Sequence, residues 1–80
     1  MMSSAYVLMS VQSGKALDIY QYLHKMKDVR QVDLVFGPYD MIVSIQGTDA
    51  AALGKIVLDK LSRIDGVTHT VTCAVIPVEQ

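Results

Sequence analysis

The sequence holds a single cysteine, Cys73, and no tryptophan in 80 residues. One thiol cannot build a disulfide framework or a cysteine-based zinc site. Basic charge is not in excess either: 7 Lys and Arg against 8 Asp and Glu leave a formal net charge of −1. Nucleic-acid binders ordinarily carry a basic surplus that displaces counterions from phosphates. Here Lys15, Lys25, Lys27, Arg30, Lys55, Lys60 and Arg63 form no run or stripe, so direct contact with nucleic acid is not expected. Uninterrupted apolar stretches are a few residues long, against the ~20 needed to span a bilayer. Residues 1–4 lack Lys and Arg, and the apolar run 5–9 behind them is short, which speaks against a signal peptide. The expectation is a cytoplasmic protein that does not touch a membrane. Carboxylate pairs, a Ser-His-Asp set and a Gly-rich phosphate loop are missing as well, so neither catalysis, nor a cofactor, nor a metal is expected.

What is present is an apolar chain: 51% hydrophobic and 19% charged. That is globular rather than disordered composition. The length allows one domain, residues 1–80. Such a domain buries roughly 60% of its unfolded surface, so burial against another copy would add stability.

Hydrophobic periodicity divides the chain into six elements. Residues 5–11 alternate, with Val7, Met9 and Val11 on one side and Tyr6, Leu8 and Ser10 on the other. Ser13 is the expected cap of a helix over 15–27, whose apolar residues Ala16, Ile19, Tyr20, Leu23 and Met26 recur at spacings of three and four. Residues 29–36 alternate again, with Val32, Leu34 and Phe36 on one side. Gly37-Pro38-Tyr39-Asp40 is a turn signal. Met41, Val43 and Ile45 then oppose Ile42, Ser44 and Gln46, completing an antiparallel hairpin. Thr48 is the expected cap of a second helix with Asp49 in its first turn and a stripe of Leu53, Ile56, Val57, Leu61 and Ile64. Gly54 within that helix has no evident reason, and Gly66 terminates it. Residues 67–76 form the last strand, with Val67, Val71, Cys73 and Val75 expected on the helix side and Thr68, Thr70, Thr72, Ala74 and Ile76 on the other; Pro77 ends it.

The order strand, helix, strand, strand, helix, strand predicts an α+β, ferredoxin-like βαββαβ fold: an antiparallel four-stranded sheet with two helices on one face. The other face would carry Tyr6, Leu8, Ile42, Ser44, Thr70, Thr72, Ala74 and Ile76. It is too apolar for water and too polar for an ordinary core, which predicts a dimer packed sheet to sheet, as in a dimeric α+β barrel.

Few residues suggest chemistry. His24 and His69 have no partner at metal-ligand spacing. They read as surface or packed residues, or else as a general base in a dimeric α+β barrel enzyme of the monooxygenase or isomerase kind. His69 shares parity with the valines, which argues against that enzyme. Cys73 reads as a small core residue. The turn at 37–40 reads either as a rigid hairpin, with Asp40 satisfying backbone donors locally, or as a ligand rim. In the latter, Gly37 admits a ligand to the backbone, Tyr39 supplies a wall and Asp40 receives an ammonium group. The threonine row Thr68, Thr70 and Thr72 is ordinary strand composition, or a set of hydroxyls for a polar ligand.

The stretches FGPYDMIVSIQGTD and IDGVTHTVTCAVI, in this order, resemble the C-terminal effector domain (RAM domain) of the Lrp/AsnC transcriptional regulators, through a Gly-x-Tyr-Asp hairpin and a Gly-Val-x-x-Thr-x-Thr final strand. The strand AYVLMSV and its helix also fit, and the resemblance spans nearly the whole chain. It implies dimers that pair through their sheets and assemble into rings, commonly octamers, with amino-acid effectors bound between dimers. By resemblance Gly37, Tyr39 and Asp40 would line one side of that pocket, and Thr70 and Thr72 of a neighbouring subunit the other. Four residues precede the first strand, so the helix-turn-helix domain usual in the family is expected to be missing. A stand-alone effector-binding and oligomerisation module, acting on transcription through full-length Lrp/AsnC regulators, is the reading this implies. An ACT-type amino-acid-binding domain has the same element order; the hairpin favours the RAM type. An RNA-recognition motif needs exposed aromatics on its central strands, whereas Phe36 is expected on the apolar side and no matching run occurs.

Overall fold

A computed structural model describes residues 2–78. Each alternating stretch forms a strand, although two of them stop two residues short of the expected ends, at Leu34 and Ala74. β1, Ser3–Val11, buries Ala5, Val7 and Met9 completely and turns Tyr6 and Leu8 the other way, because successive strand side chains point to opposite faces. β2 is Val29–Leu34 and β3 is Met41–Gly47, with Met41, Val43 and Ile45 fully buried. β4 runs Val67–Ala74. All pairings are antiparallel and the sheet order is β2-β3-β1-β4. β1 and β3 are therefore the inner strands. Their register stacks Met9 on Met41, Val7 on Val43 and Ala5 on Ile45, and this block of aliphatic and thioether side chains is the floor of the core.

Two helices supply the roof. α1, Ala16–His24, buries Ile19 and Leu23, with Ala16 and Tyr20 packed beside them. α2, Ala50–Asp59, buries Leu53, Ile56 and Val57. Its stripe continues into a 3-10 turn, Leu61–Arg63, that tightens the chain so that Leu61 is wholly enclosed while Ile64 packs at the rim. Each fully buried large side chain contributes roughly 1.5–3 kcal/mol over its exposed state. Both crossovers thus place their helices over the same face of the sheet, as expected for this element order.

The ends of the helices differ from expectation. Ser13 does not cap α1. Gly14 takes φ +84° and Lys15 N–H donates to Gln12 O at 3.0 Å, so a hydrogen-bonded turn carries the chain into the helix and Lys15 stands at the cap with no side-chain capping bond. That helix stops at His24 rather than 27, where Lys25 N–H and Met26 N–H turn to carbonyls three residues back. In α2 the cap is Asp49 rather than Thr48. Asp49 is extended (φ −157°, ψ −179°) and its carboxylate accepts Ala52 N–H at 2.8 Å, a strong form of the N-terminal cap.

The larger correction concerns β4. Val67 pairs with Val11, but His69 pairs with Ser10, Thr70 with Met9 and Thr72 with Val7. Thr68 is an extra residue, a β-bulge against the Ser10/Val11 step. One extra residue inverts every side chain beyond it. Val67 packs on the core with Val11, yet after the bulge it is Thr70, Thr72 and Ala74 that share the helix side with Met9, Val7 and Ala5. His69, Val71 and Cys73 share the open side with Ser10, Leu8 and Tyr6. Cys73 is exposed, not a core residue. Phe36 is also misplaced by parity: it lies past the end of β2 and is fully exposed. β4 ends at Ala74, short of Pro77, although Val75 N–H still donates to Ser4 O at 2.9 Å.

Two glycines give opposite expectations. A methyl group at Gly54 would meet nothing within 4 Å, so Gly54→Ala should raise the unfolding free energy by about 1 kcal/mol. Gly66 has φ +99° and a Cβ there would lie 3.0 Å from Lys15 Cβ and Cγ; Gly66→Ala should lower stability by about 1–3 kcal/mol. Urea denaturation of the two variants checks both signs.

Candidate functional site

The turn between β2 and β3 is closed by Val35 N–H donating to Asp40 O at 3.0 Å. Inside it Gly37 adopts φ +140°, a conformation in which a side chain is strained although the space around it is open. Pro38 follows, and Tyr39 is half-buried.

Asp40 ties this turn to β1. The β1–β3 ladder ends at Met9 and Met41. Immediately beyond, Asp40 N–H donates to Met9 O at 2.9 Å, and its carboxylate oxygen Oδ2 accepts Val11 N–H at 2.9 Å. The side chain stands in for a strand that has run out, meeting a backbone donor of an inner strand that would otherwise have no rung. The donor lies 29 residues away in sequence, so Asp40 does satisfy a backbone donor, but a distant one rather than a local one. The carboxylate remains exposed and has acceptor capacity beyond this single bond.

The threonines approach β1 from its other side. Thr70 pairs with Met9, the residue whose carbonyl takes the Asp40 N–H, and Thr72 pairs with Val7. Thr70 is half-buried and Thr72 exposed. Although they are on the helix side, β4 is an edge strand, and the roof does not cover them. The structure therefore gathers Gly37, Tyr39 and Asp40 into one turn, places Thr70 and Thr72 on one side of one strand, and hangs both groups on the same stretch of β1. It does not bring the groups into contact, because β3 and β4 flank β1 and stand roughly 10 Å apart in the sheet. Thr68 does not belong to the same row. Its hydroxyl donates to Ser10 O at 3.1 Å.

Sequence reasoning missed the parts of β1 that carry this arrangement: Met9 O, Ser10 O and Val11 N–H. Their role is borne by backbone atoms, which no residue type reports. The two histidines lie apart from the candidate residues. His24 is exposed on α1, stacked on Tyr20 with ring centres 5.4 Å apart. His69 stands on the open face of the sheet, opposite to its expected side. A groove of 730 Å³ between α1 and the 3-10 turn, with Ile19, Tyr22, Arg63 and Asp65 among its walls, touches none of the candidate residues. Among the described residues no group of three or more His, Cys, Asp or Glu is placed to hold a metal ion, and no helix is long and apolar enough to cross a membrane.

Compared with known proteins, residues 4–78 match the family described as the Lrp/AsnC ligand binding domain. An uncharacterized HTH-type transcriptional regulator of Pyrococcus horikoshii is 30% identical over 73 residues, covering 88% of this chain and 49% of its own. The chain thus spans about half the length of the curated relatives it matches. The crystal structure of FFRP-DM1 superposes with a TM-score of 0.89 at 26% identity, covering 92% of this chain and 99% of that one. A transcriptional regulator from Neisseria meningitidis, solved as an L-Met complex, superposes with a TM-score of 0.81 at 22% identity, covering 94% of this chain and 50% of its own. At that identity the likeness is one of fold.

The bond from Val11 to Asp40 predicts a graded effect on stability. Asp40→Ala should cost about 1–2 kcal/mol, whereas Asp40→Asn, which retains an acceptor oxygen, should cost less. Equal losses in thermal or urea unfolding would show that the carboxylate's bond to β1 is not what the turn relies on.

Proposed function

This chain belongs to the Lrp/AsnC ligand-binding family, and we propose that it binds an amino-acid effector between assembled copies and passes the bound state on through its assembly. The observation that carries the reading is the placement of Asp40 and Thr70 at one level of β1, with an exposed carboxylate on one side and, on the other, a strand presenting the half-buried Thr70 and the exposed Thr72. A carboxylate is the natural partner of an α-ammonium group, and threonine hydroxyls can donate to an α-carboxylate. Within one chain the two groups are too far apart to hold the same small ligand, so the second half of the pocket is supplied by a neighbouring copy. The L-Met complex of the Neisseria regulator supports the ligand class.

Assembly begins, in this proposal, at the open face of the sheet. Tyr6 and Val75 are large and exposed there, with Leu8, Ile42 and Val71 half-covered and Cys73 beside them. Correcting the side of β4 changes the make-up of this face: His69, Val71 and Cys73 stand on it in place of Thr70, Thr72 and Ala74. Contiguous apolar surface of this kind marks an interaction site. A homodimer that packs sheet to sheet covers it, and dimers then join into a ring such as an octamer. That face also carries His69, and in this proposal the chain is a binding protein and not an enzyme. The near-complete overlap with the FFRP-DM1 chain supports treating residues 1–80 as one domain. Its output on transcription runs through co-assembly with a full-length, DNA-binding relative rather than through nucleic-acid contacts of its own, and its compartment is the cytoplasm.

Calorimetric titration with the twenty amino acids tests the sensing claim. Binding of at least one is expected, weakened about tenfold by Asp40→Asn, the equivalent of ~1.4 kcal/mol from one charge-assisted bond. Absence of heat from any of them at millimolar concentration would remove the sensing role and leave assembly standing. Light scattering tests assembly separately: Leu8→Glu, which puts a charge on the open face, should yield monomers, and an unchanged mass would exclude this face as the interface.

A further inference from the structure

The bulge at Thr68 decides which face of the sheet carries Thr70 and Thr72. β4 could meet β1 in a plain ladder running on from the Val67–Val11 pair. That ladder would set Thr68 opposite Ser10, Thr70 opposite Leu8, Val71 opposite Val7 and Cys73 opposite Ala5. It would also turn Val71 and Cys73 to the helix side and the threonines to the open face. The observed ladder is displaced by one residue: Thr70 opposite Met9, Val71 opposite Leu8 and Cys73 opposite Tyr6. A bulge leaves one residue unpaired in the ladder, so the displaced register calls for a contact that favours it.

The contact in place is the Thr68 hydroxyl, donating to Ser10 O at 3.1 Å across the bulge. On the other flank of β1, one residue further on, Val11 N–H is held by the Asp40 carboxylate. Gln12 N–H in turn donates to Gly66 O at 2.7 Å, just before β4 begins. The end of β1 is thereby fastened to the turn and to β4 through three consecutive residues.

We propose that Thr68 is a positioning residue: by pinning the bulge to Ser10 it keeps Thr70 and Thr72 on the helix side of β4, in the displaced register. It touches no effector itself. Its part in ligand binding rests on the reading above, whereas its part in the register does not.

Cross-strand contacts measured by NMR on the full chain read the register directly. Wild type should show Leu8 against Val71 and Tyr6 against Cys73. Thr68→Val keeps the shape of the side chain and loses the hydroxyl. It should populate the plain ladder, seen as Val7 against Val71, and weaken amino-acid binding about fivefold or more. Thr68→Ser, which restores a hydroxyl, should return both readings to wild type. Deleting Thr68 removes the extra residue, so Val67 and Thr70 can keep their partners in an unbroken ladder. The deletion should therefore retain the Leu8–Val71 contact whatever holds the bulge, which makes it the register control; Thr68→Ala, which also loses the hydroxyl, decides the matter if Thr68→Val does not fold. A Thr68→Val or Thr68→Ala protein with the wild-type register throughout would overturn the proposal. If wild type binds no amino acid while the register responds as described, the sensing role falls and the positioning role stands.

Discussion

An inner strand must find a partner for every backbone donor and acceptor on both of its edges, and β1 is the strand on which that demand falls hardest. β3 serves one edge as far as Met9 and β4 serves the other. Beyond Met9 the β3 edge would be bare if Asp40 did not supply a carboxylate to Val11 N–H. The same strand carries Ala5, Val7 and Met9 into the floor of the core. Core, turn and threonine strand are thus three attachments to one strand, and their relative positions follow from its register. This is why residues separated by some thirty positions in sequence lie at one level of the sheet.

The open face and the candidate pocket make different physical demands. The open face offers Tyr6, Leu8, Ile42, Val71 and Cys73, which lose water when covered and impose little direction. The candidate residues offer a carboxylate and hydroxyls, which impose direction and would gain little until a ligand with complementary groups arrived. A ligand-binding domain that also associates with its own copies would need both kinds of surface. The four-stranded sheet separates them, with apolar residues on its open side and the threonines on the helix side at the uncovered edge.

Much of this was legible from residue spacing. The six elements, the inner faces of β1 and β3, the helical stripes and the turn at 37–40 follow from periods of two and of three to four. The side of β4 did not follow. Parity counted from Val67 is sound for one residue and wrong for all the others, because a bulge has no signature in GVTHTVTC beyond an apolar pattern that looks regular. Val67, Val71 and Cys73 seem to share a face, and only the pairing of Val67 with Val11 and of His69 with Ser10 shows that they do not. Capping was misplaced at both helices for a more local reason: several residues able to cap stand close together, and the backbone path chooses among them. At the candidate site the residue types were readable, but the strand joining them acts through its main chain and so left no trace in composition.

The two edge strands share a feature that bears on how such a domain avoids uncontrolled growth. β2 is irregular between Val29 and Gln31, and β4 is irregular at Thr68. Each irregularity interrupts a row of exposed N–H and C=O groups that could otherwise template a strand from another molecule. Past the end of β4, Pro77 withholds one more donor. A sheet that leaves a wide apolar surface uncovered is a hazard if its borders are equally inviting, because face and edge together would admit fibrous stacking. Here the borders are blunted and the face is not, so the sheet invites contact through its face and discourages strand addition at its edges.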